Sequence, residues 1–253
     1  MTLPDTWVLV GALLAGFVQG LSGFGTALVT AVFWSATLPP SVAAPLITIS
    51  SVISLSVATR SVLPSLQWRL AVPLLLGGIA GTPIGILVNP LIDPLQFRLG
   101  VGILLCVYCP AMLMVRHLPT ISSGGPALDA LVGVVGGVMG GIAALSGPVP
   151  VLWCSLRGGD RHSQRATLQV FILTAQIAAL IGYTASGLYT APVLRLALWI
   201  VPCVLVPSIL GTMLYSRLNA EAFRRIILVL LAFSGILLVG QSLPQLLWPL
   251  APV

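Results

Sequence analysis

The chain has 253 residues, 58% of them hydrophobic and only 6% charged, with a mean hydropathy of +1.11. That composition excludes a soluble domain and points to an all-α integral membrane protein, since a spanning segment must satisfy its own backbone polar groups. All eleven basic residues are arginine, set against five acids for a net charge of +6; at the ends of apolar segments they orient the chain in the lipid bilayer, and no nucleic-acid partner is expected.

No charge falls between Asp5 and Arg60, Arg69 and Asp93, Asp129 and Arg157, Arg165 and Arg195, Arg195 and Arg217, or after Arg225. Most of these windows exceed the ~20 residues that cross a bilayer core. The first apolar stretch, 6–38, is interrupted by Gly16-Phe17-Val18-Gln19-Gly20-Leu21-Ser22-Gly23-Phe24-Gly25-Thr26. As one helix it would be about 50 Å long, too long for a ~30 Å core; broken near Gly20–Gly25 it gives two arms of roughly 20 Å. Helices follow at about 41–59, 70–89 and 95–115, and the polar run Ser122-Ser123-Gly124-Gly125-Pro126 marks the middle.

The second half repeats this order. An interrupted stretch at 128–156 contains Gly137-Val138-Met139-Gly140-Gly141-Ile142-Ala143-Ala144-Leu145-Ser146-Gly147-Pro148, and helices follow at about 165–186, 192–216 and 221–242. Gly81-Thr82 ahead of Phe97-Arg98 is echoed by Gly211-Thr212 ahead of Phe223-Arg224. The expected organisation is two repeats, 1–120 and 121–253, in one integrated membrane domain. If each interrupted stretch crosses once, the arginines divide seven to four between the two sides; if each re-enters as a hairpin, they divide nine to two, with only Arg98 and Arg195 on the poorer side. The larger asymmetry is the better positive-inside signal, so hairpins and inverted repeats are expected, with both termini outside. The N-terminus lacks the basic region of a signal peptide and is expected to stay attached.

Glycine clusters at membrane depth favour unwinding, which is tolerated there only where backbone is buried or lines a cavity. Where one arm ends and the next begins, the second arm offers unpaired N–H groups and the positive end of its dipole. Glycines admit a ligand to the backbone, Ser22, Thr26 and Ser146 add hydroxyls, and Pro148 suits the first turn of a helix. Such a pair of tips can hold an oxyanion without a buried arginine. The competing account is that the glycines only let helices pack closely. Matching breaks in two halves favour a shared site, comprising Gly20, Ser22, Gly23, Phe24, Gly25 and Thr26 with Ser146, Gly147 and Pro148.

At these residues the chain resembles the sulfite exporter TauE/SafE family, also called the four-toluene-sulfonate uptake permease family. The resemblance is carried by Gly16-x-x-x-Gly20-x-x-Gly23-Phe24-Gly25, by Gly136-Gly137-x-x-Gly140-Gly141 with Ser146-Gly147-Pro148, and by Arg165-Ala166-Thr167 at the next helix. It implies a bacterial inner-membrane permease for a sulfur-containing anion such as sulfite, thiosulfate, sulfoacetate or a related organosulfonate, acting in export. The second repeat departs from the family pattern at Ala143-Ala144-Leu145-Ser146-Gly147, where more glycine is expected.

Further polar residues at membrane depth are Ser50, Ser51 and Ser54 on the helix after the first break, and Gln169, Thr174 and Gln176 on its counterpart. Hydroxyls in membrane helices often bond their own backbone, whereas a buried glutamine is costly to leave unpaired; Ser50, Ser54, Gln169 and Gln176 join the candidate site. Arg157, Arg161 and Arg165 are expected to form a basic vestibule that concentrates anions. No acid lies mid-membrane and His117 and His162 sit among loop arginines, so a coupled proton would ride on the substrate rather than on a relay in the protein. The four cysteines read as small hydrophobes, and no metal, cofactor or enzymatic activity is expected. A passive anion channel is the nearer alternative. An intramembrane serine protease, suggested by Gly20-Leu21-Ser22-Gly23, would need a base within reach of the nucleophile.

Overall fold

The computed structural model describes residues 5–34, 37–60, 62–114, 124–157, 160–214 and 220–247. Ser122, Ser123, Arg116, His117 and Arg217, which entered the expected linker, loops and arginine count, lie outside them. The described residues form ten α-helices and no strand: α1 Thr6–Ser22, α2 Thr26–Trp34, α3 Pro40–Thr59, α4 Trp68–Val88, α5 Pro94–Met114, α6 Gly125–Ala143, α7 Pro148–Arg157, α8 Arg161–Ala185, α9 Ala191–Leu214 and α10 Ala220–Leu247. Among these, α3, α4, α5, α6, α8 and α9 are long and apolar enough to cross a bilayer. Leu87, Leu91, Leu198 and Met213 are more than two-thirds exposed on their outer faces, as lipid-facing side chains must be. The protein is an all-α integral membrane protein.

Both interrupted stretches fold back on themselves. Trp34 at the end of α2 is fully buried and its indole N–H donates to the Val8 carbonyl near the start of α1 at 3.0 Å. The rings of Trp7 and Phe33 also meet across the two arms, tilted by 31° with centroids 6.3 Å apart. In the second stretch Asp129, near the start of α6, pairs with Arg157 at the end of α7 at 2.8 Å, and its other carboxylate oxygen accepts the Trp153 indole N–H at 2.8 Å. A stretch that ran straight through would hold these partners apart by the summed length of its two arms. α6 is long enough to cross alone, yet α7 returns the chain to the side from which α6 started.

The breaks are narrower than the glycine runs. α1 continues through Gly20 to Ser22, leaving Gly23–Gly25 as the turn, and α7 opens at Pro148. α8 begins at Arg161 rather than near 165, because the Asp160 carboxylate caps it by accepting the Ser163 N–H at 2.9 Å.

Parallel helix seams account for most of the glycine pattern. α1 lies on α9, where a Cβ at Gly16 or Gly20 would stand 2.1 Å from the Val204 or Ser208 carbonyl oxygen. α4 lies on α6 in the same way, with Gly77, Gly81 and Gly85 against Ala130, Val134 and Val138. Such approach is the small-residue packing of membrane helices, with Cα–H groups directed at carbonyls. Gly20, expected in the shared site, lies in this seam and outside the lining of the cavity between the tips. α5 and α10 run antiparallel around Gly102 and Gly235. α3 and α8 pack together between the hairpins.

Candidate functional site at the hairpin tips

The first tip is tied by one side chain. Gly23 takes the left-handed conformation (φ +80°) that ends α1, its N–H donating to the Gln19 carbonyl at 2.8 Å. The Gln19 amide oxygen then reaches across the turn and accepts the Thr26 N–H at 3.2 Å and the Thr26 hydroxyl at 2.6 Å. A residue of the first arm thus caps the second. Ser22 donates to the Val18 carbonyl at 2.7 Å and bonds the Phe24 backbone; it shapes the turn, and its partners are backbone groups rather than a catalytic base.

The second tip is tied from outside. Ala144 adopts the left-handed conformation (φ +57°), which costs a side chain about 1–2 kcal/mol. Its carbonyl accepts the Gln176 amide N–H at 2.7 Å, while the Gln176 oxygen accepts the Thr48 hydroxyl at 3.1 Å. The Tyr183 hydroxyl donates to the Gly141 carbonyl and the Asn89 amide to that of Ile142. The carbonyls that α6 leaves open at its end are thereby satisfied by side chains from α8 and from the turn after α4. At the first tip the equivalent donors are Arg165 at 3.3 Å and Thr212 at 3.4 Å, both on the Gly20 carbonyl.

Residues of the two tips, about 120 positions apart in the chain, line one cavity. Phe24, Gly25 and Thr26 face Ala144, Ser146, Gly147 and Pro148 across it, with Gln19, Ser51, Leu55, Ile172 and Gln176 completing the wall. Its volume is ≈ 20 Å³, room for about one water. The two arms do not contribute alike. In α2, Ala27 and Leu28 line the cavity, and both sit in the first turn. In α7, Pro148 and Pro150 lack N–H groups and Val151 donates to Gly147, which leaves Val149 alone among the first-turn donors. Ser146, two residues before Pro148, also lines the cavity. Ser146 and the amide nitrogen of Gln19 are buried with no hydrogen-bond partner among the described residues.

The remaining candidates lie elsewhere or hold the frame. Gln169 sits outside this lining, where a Cβ on Gly23 would meet its amide nitrogen at 2.6 Å; both of its amide atoms are buried without a partner among the described residues. Ser50 is buried and unpartnered in the same sense, and Ser54 donates to the Ser51 carbonyl at 3.3 Å. Of the three arginines expected to form a vestibule, Arg157 pairs with Asp129 and lies 5.7 Å over the Trp153 ring. Arg165 is half-buried on the Gly20 carbonyl, and the side chain of Arg161 lies outside the described set. Arg157 is thus neutralised by a carboxylate, whereas Arg165 keeps its charge while donating to a neutral carbonyl. Beside them a cleft of ≈ 90 Å³ runs between α4, α6, α7 and α8, lined by Gln67, Asp129, Arg157, Asp160, Ser163 and Thr167 among others.

Gln19, Thr48, Ser51, Asn89 and Tyr183 were not among the site residues expected from sequence. Gln19 carried a usable signal, an amide three residues before the end of an apolar arm, where leaving it unpaired is costly. The others depend on which helix lies opposite.

A family model described as sulfite exporter TauE/SafE matches residues 8–238. No curated protein and no solved structure matches the chain. The family match runs from the first turn of α1 into α10 and takes in both hairpins, nearly the whole molecule; the chain belongs to the sulfite exporter TauE/SafE family of membrane transporters.

Proposed function

We propose that this protein is a bacterial inner-membrane permease that exports a small sulfur-containing anion: sulfite, thiosulfate, sulfoacetate or a related organosulfonate. The anion is held in the cavity between the two hairpin tips. The observation that carries this reading is the convergence of both tips on one cavity bearing two buried, unpartnered polar groups, Gln19 and Ser146. A cavity with room for about one water also favours alternating access over a wide open channel.

Two inverted repeats, divided near residue 120, are supported by the exchange of partners between halves: α1 packs on α9 while its counterpart α6 packs on α4. With the hairpins re-entering, nine arginines fall on one side and two on the other, which supports a cytoplasmic location for the former and periplasmic termini. The cleft beside Arg157 is then the cytoplasmic approach to the tips. Sulfite titrates near neutral pH, so the substrate itself can carry a coupled proton.

The test is flux of sulfite, thiosulfate and sulfoacetate in proteoliposomes, with and without a pH gradient. Saturable transport of at least one of them is expected, and it should be lost on substitution at either tip. Flux that does not saturate supports a channel, and the absence of flux for all three refutes the proposal.

A further inference from the structure

The chemistry around Gln19 fixes which way its amide points. A backbone N–H can only donate, so the atom 3.2 Å from the Thr26 nitrogen is the amide oxygen, and the NH2 group is turned away from it. The Thr26 hydroxyl adds a second bond to the same oxygen at 2.6 Å. Gln19 lines the cavity at 2% exposure and its NH2 has no partner among the described residues. On the other tip Ser146, at 1% exposure, also lines the cavity with its hydroxyl unpartnered in the same sense. Gln176 is the opposite case, since its NH2 is taken by the Ala144 carbonyl and its oxygen by Thr48.

Every side chain lining this cavity is uncharged. Arg165 approaches the first tip from α8, but it is outside the lining and donates to the Gly20 carbonyl. We propose that Gln19 and Ser146 are the substrate-contacting donors, and that this uncharged pair selects a singly charged sulfur oxyanion over a doubly charged one. The proposal rests on the tip cavity being the substrate site, and among the anions proposed above it favours singly protonated sulfite over thiosulfate and sulfoacetate, which carry two charges. The cost of dehydrating an ion grows with the square of its charge. What the cavity returns is limited to hydrogen bonds and the N-terminal dipole of α2, equivalent to about half a charge. A second charge on the anion would find no counter-charge in the cavity wall, the Arg165 guanidinium lying beside Gly23 and outside that wall. Thr26 is a positioning residue that holds the Gln19 amide in its donating orientation.

The test uses the full chain in proteoliposomes and two anions with the same trigonal SO3 face, methanesulfonate with one charge and sulfate with two. Methanesulfonate is expected to move at least about tenfold faster, the discrimination that one charged hydrogen bond corresponds to. Gln19→Leu should weaken methanesulfonate binding by at least about tenfold and also lower thermal stability, because Thr26 loses its acceptor. Ser146→Ala, which strands no partner among the described residues, should weaken binding with thermal stability kept, and Gln19→Glu should abolish it. Thr26→Val should impair binding and Thr26→Ser restore it, a rescue that a mere packing role would not show. Sulfate moving as fast as methanesulfonate, neither anion moving, or Gln19→Glu retaining transport overturns the proposal. If the wild type moves both anions equally and the Gln19 and Ser146 variants slow both alike, charge selection fails and the tip site stands. If the wild type discriminates but Gln19→Leu, Ser146→Ala and Gly147→Ala leave flux unchanged, the tip site itself is wrong.

Discussion

Adding one methyl group separates the two accounts of the glycines. At Gly20 a Cβ would lie 2.1 Å from the Ser208 carbonyl oxygen, 2.7 Å from the Thr212 nitrogen and 2.9 Å from the Gly211 Cα, all of them backbone. Gly20→Ala must therefore push α1 off α9, an overpacking cost of about 1–3 kcal/mol or more. At Gly147 the nearest atom to a Cβ is Ile172 Cδ1 at 3.4 Å, an ordinary contact, and the backbone is not left-handed. Gly147→Ala should leave stability unchanged or raise it by about 0.4–1 kcal/mol through the unfolded chain. The same methyl stands in the wall of a cavity of only ≈ 20 Å³. Displacing the anion by that much should cost about 1–3 kcal/mol of binding, roughly 5- to 150-fold in affinity. Gly23 and Gly25 make poorer probes, because their positive φ values strain any side chain whatever the space. The assay pairs substrate flux in proteoliposomes with thermal denaturation in detergent. Gly147→Ala should be stable and impaired, and Gly20→Ala unstable. A Gly147→Ala protein that is stable and transports at the wild-type rate refutes the placement of the anion at the tips.

Ser146→Ala should lower anion affinity by about 1.5–3 kcal/mol without lowering the melting temperature, because the buried hydroxyl has no partner among the described residues. Gln176→Leu should do the reverse at first order, costing about 1–3 kcal/mol of stability for the stranded Ala144 carbonyl, read as a lower melting temperature. Breaking the largely buried Asp129–Arg157 pair with Asp129→Ala should destabilise by a few kcal/mol, and Asp129→Ala/Arg157→Ala should recover part of that loss in a double-mutant cycle. Single cysteines replacing Trp7 and Thr37 in a background lacking the four native thiols should be labelled from the same side of the membrane, and one replacing Gln67 from the other. Labelling of residues 7 and 37 from opposite sides would contradict the hairpin.

The all-helical membrane class was legible at once, because a bilayer leaves few ways to satisfy a backbone and the composition is unmistakable. The two breaks were legible too, since glycine clusters and Pro148 weaken a helix locally and need no partner to do so. What each glycine is for was not. Gly16 and Gly20 read the same as Gly23 and Gly25 in sequence, yet the first two lie in a helix seam and the last two in a turn, a difference set by where α9 packs. The hydroxyls divided in the same way: Ser22 and Ser54 bond nearby backbone, while Ser146 is left facing the cavity. Gln19 and Gln176 are both buried amides in apolar helices, and only the geometry of Thr26, Ala144 and Thr48 shows that Gln176 has both amide atoms paired while the Gln19 NH2 has no partner among the described residues. Arg157 and Arg165 looked like free loop cations because their partners, Asp129 and the Gly20 carbonyl, are 28 and 145 positions away. Local propensity sets where a helix stops; which polar atoms remain unpaired at the stop depends on contacts between segments distant in the chain, and only the tertiary structure makes those.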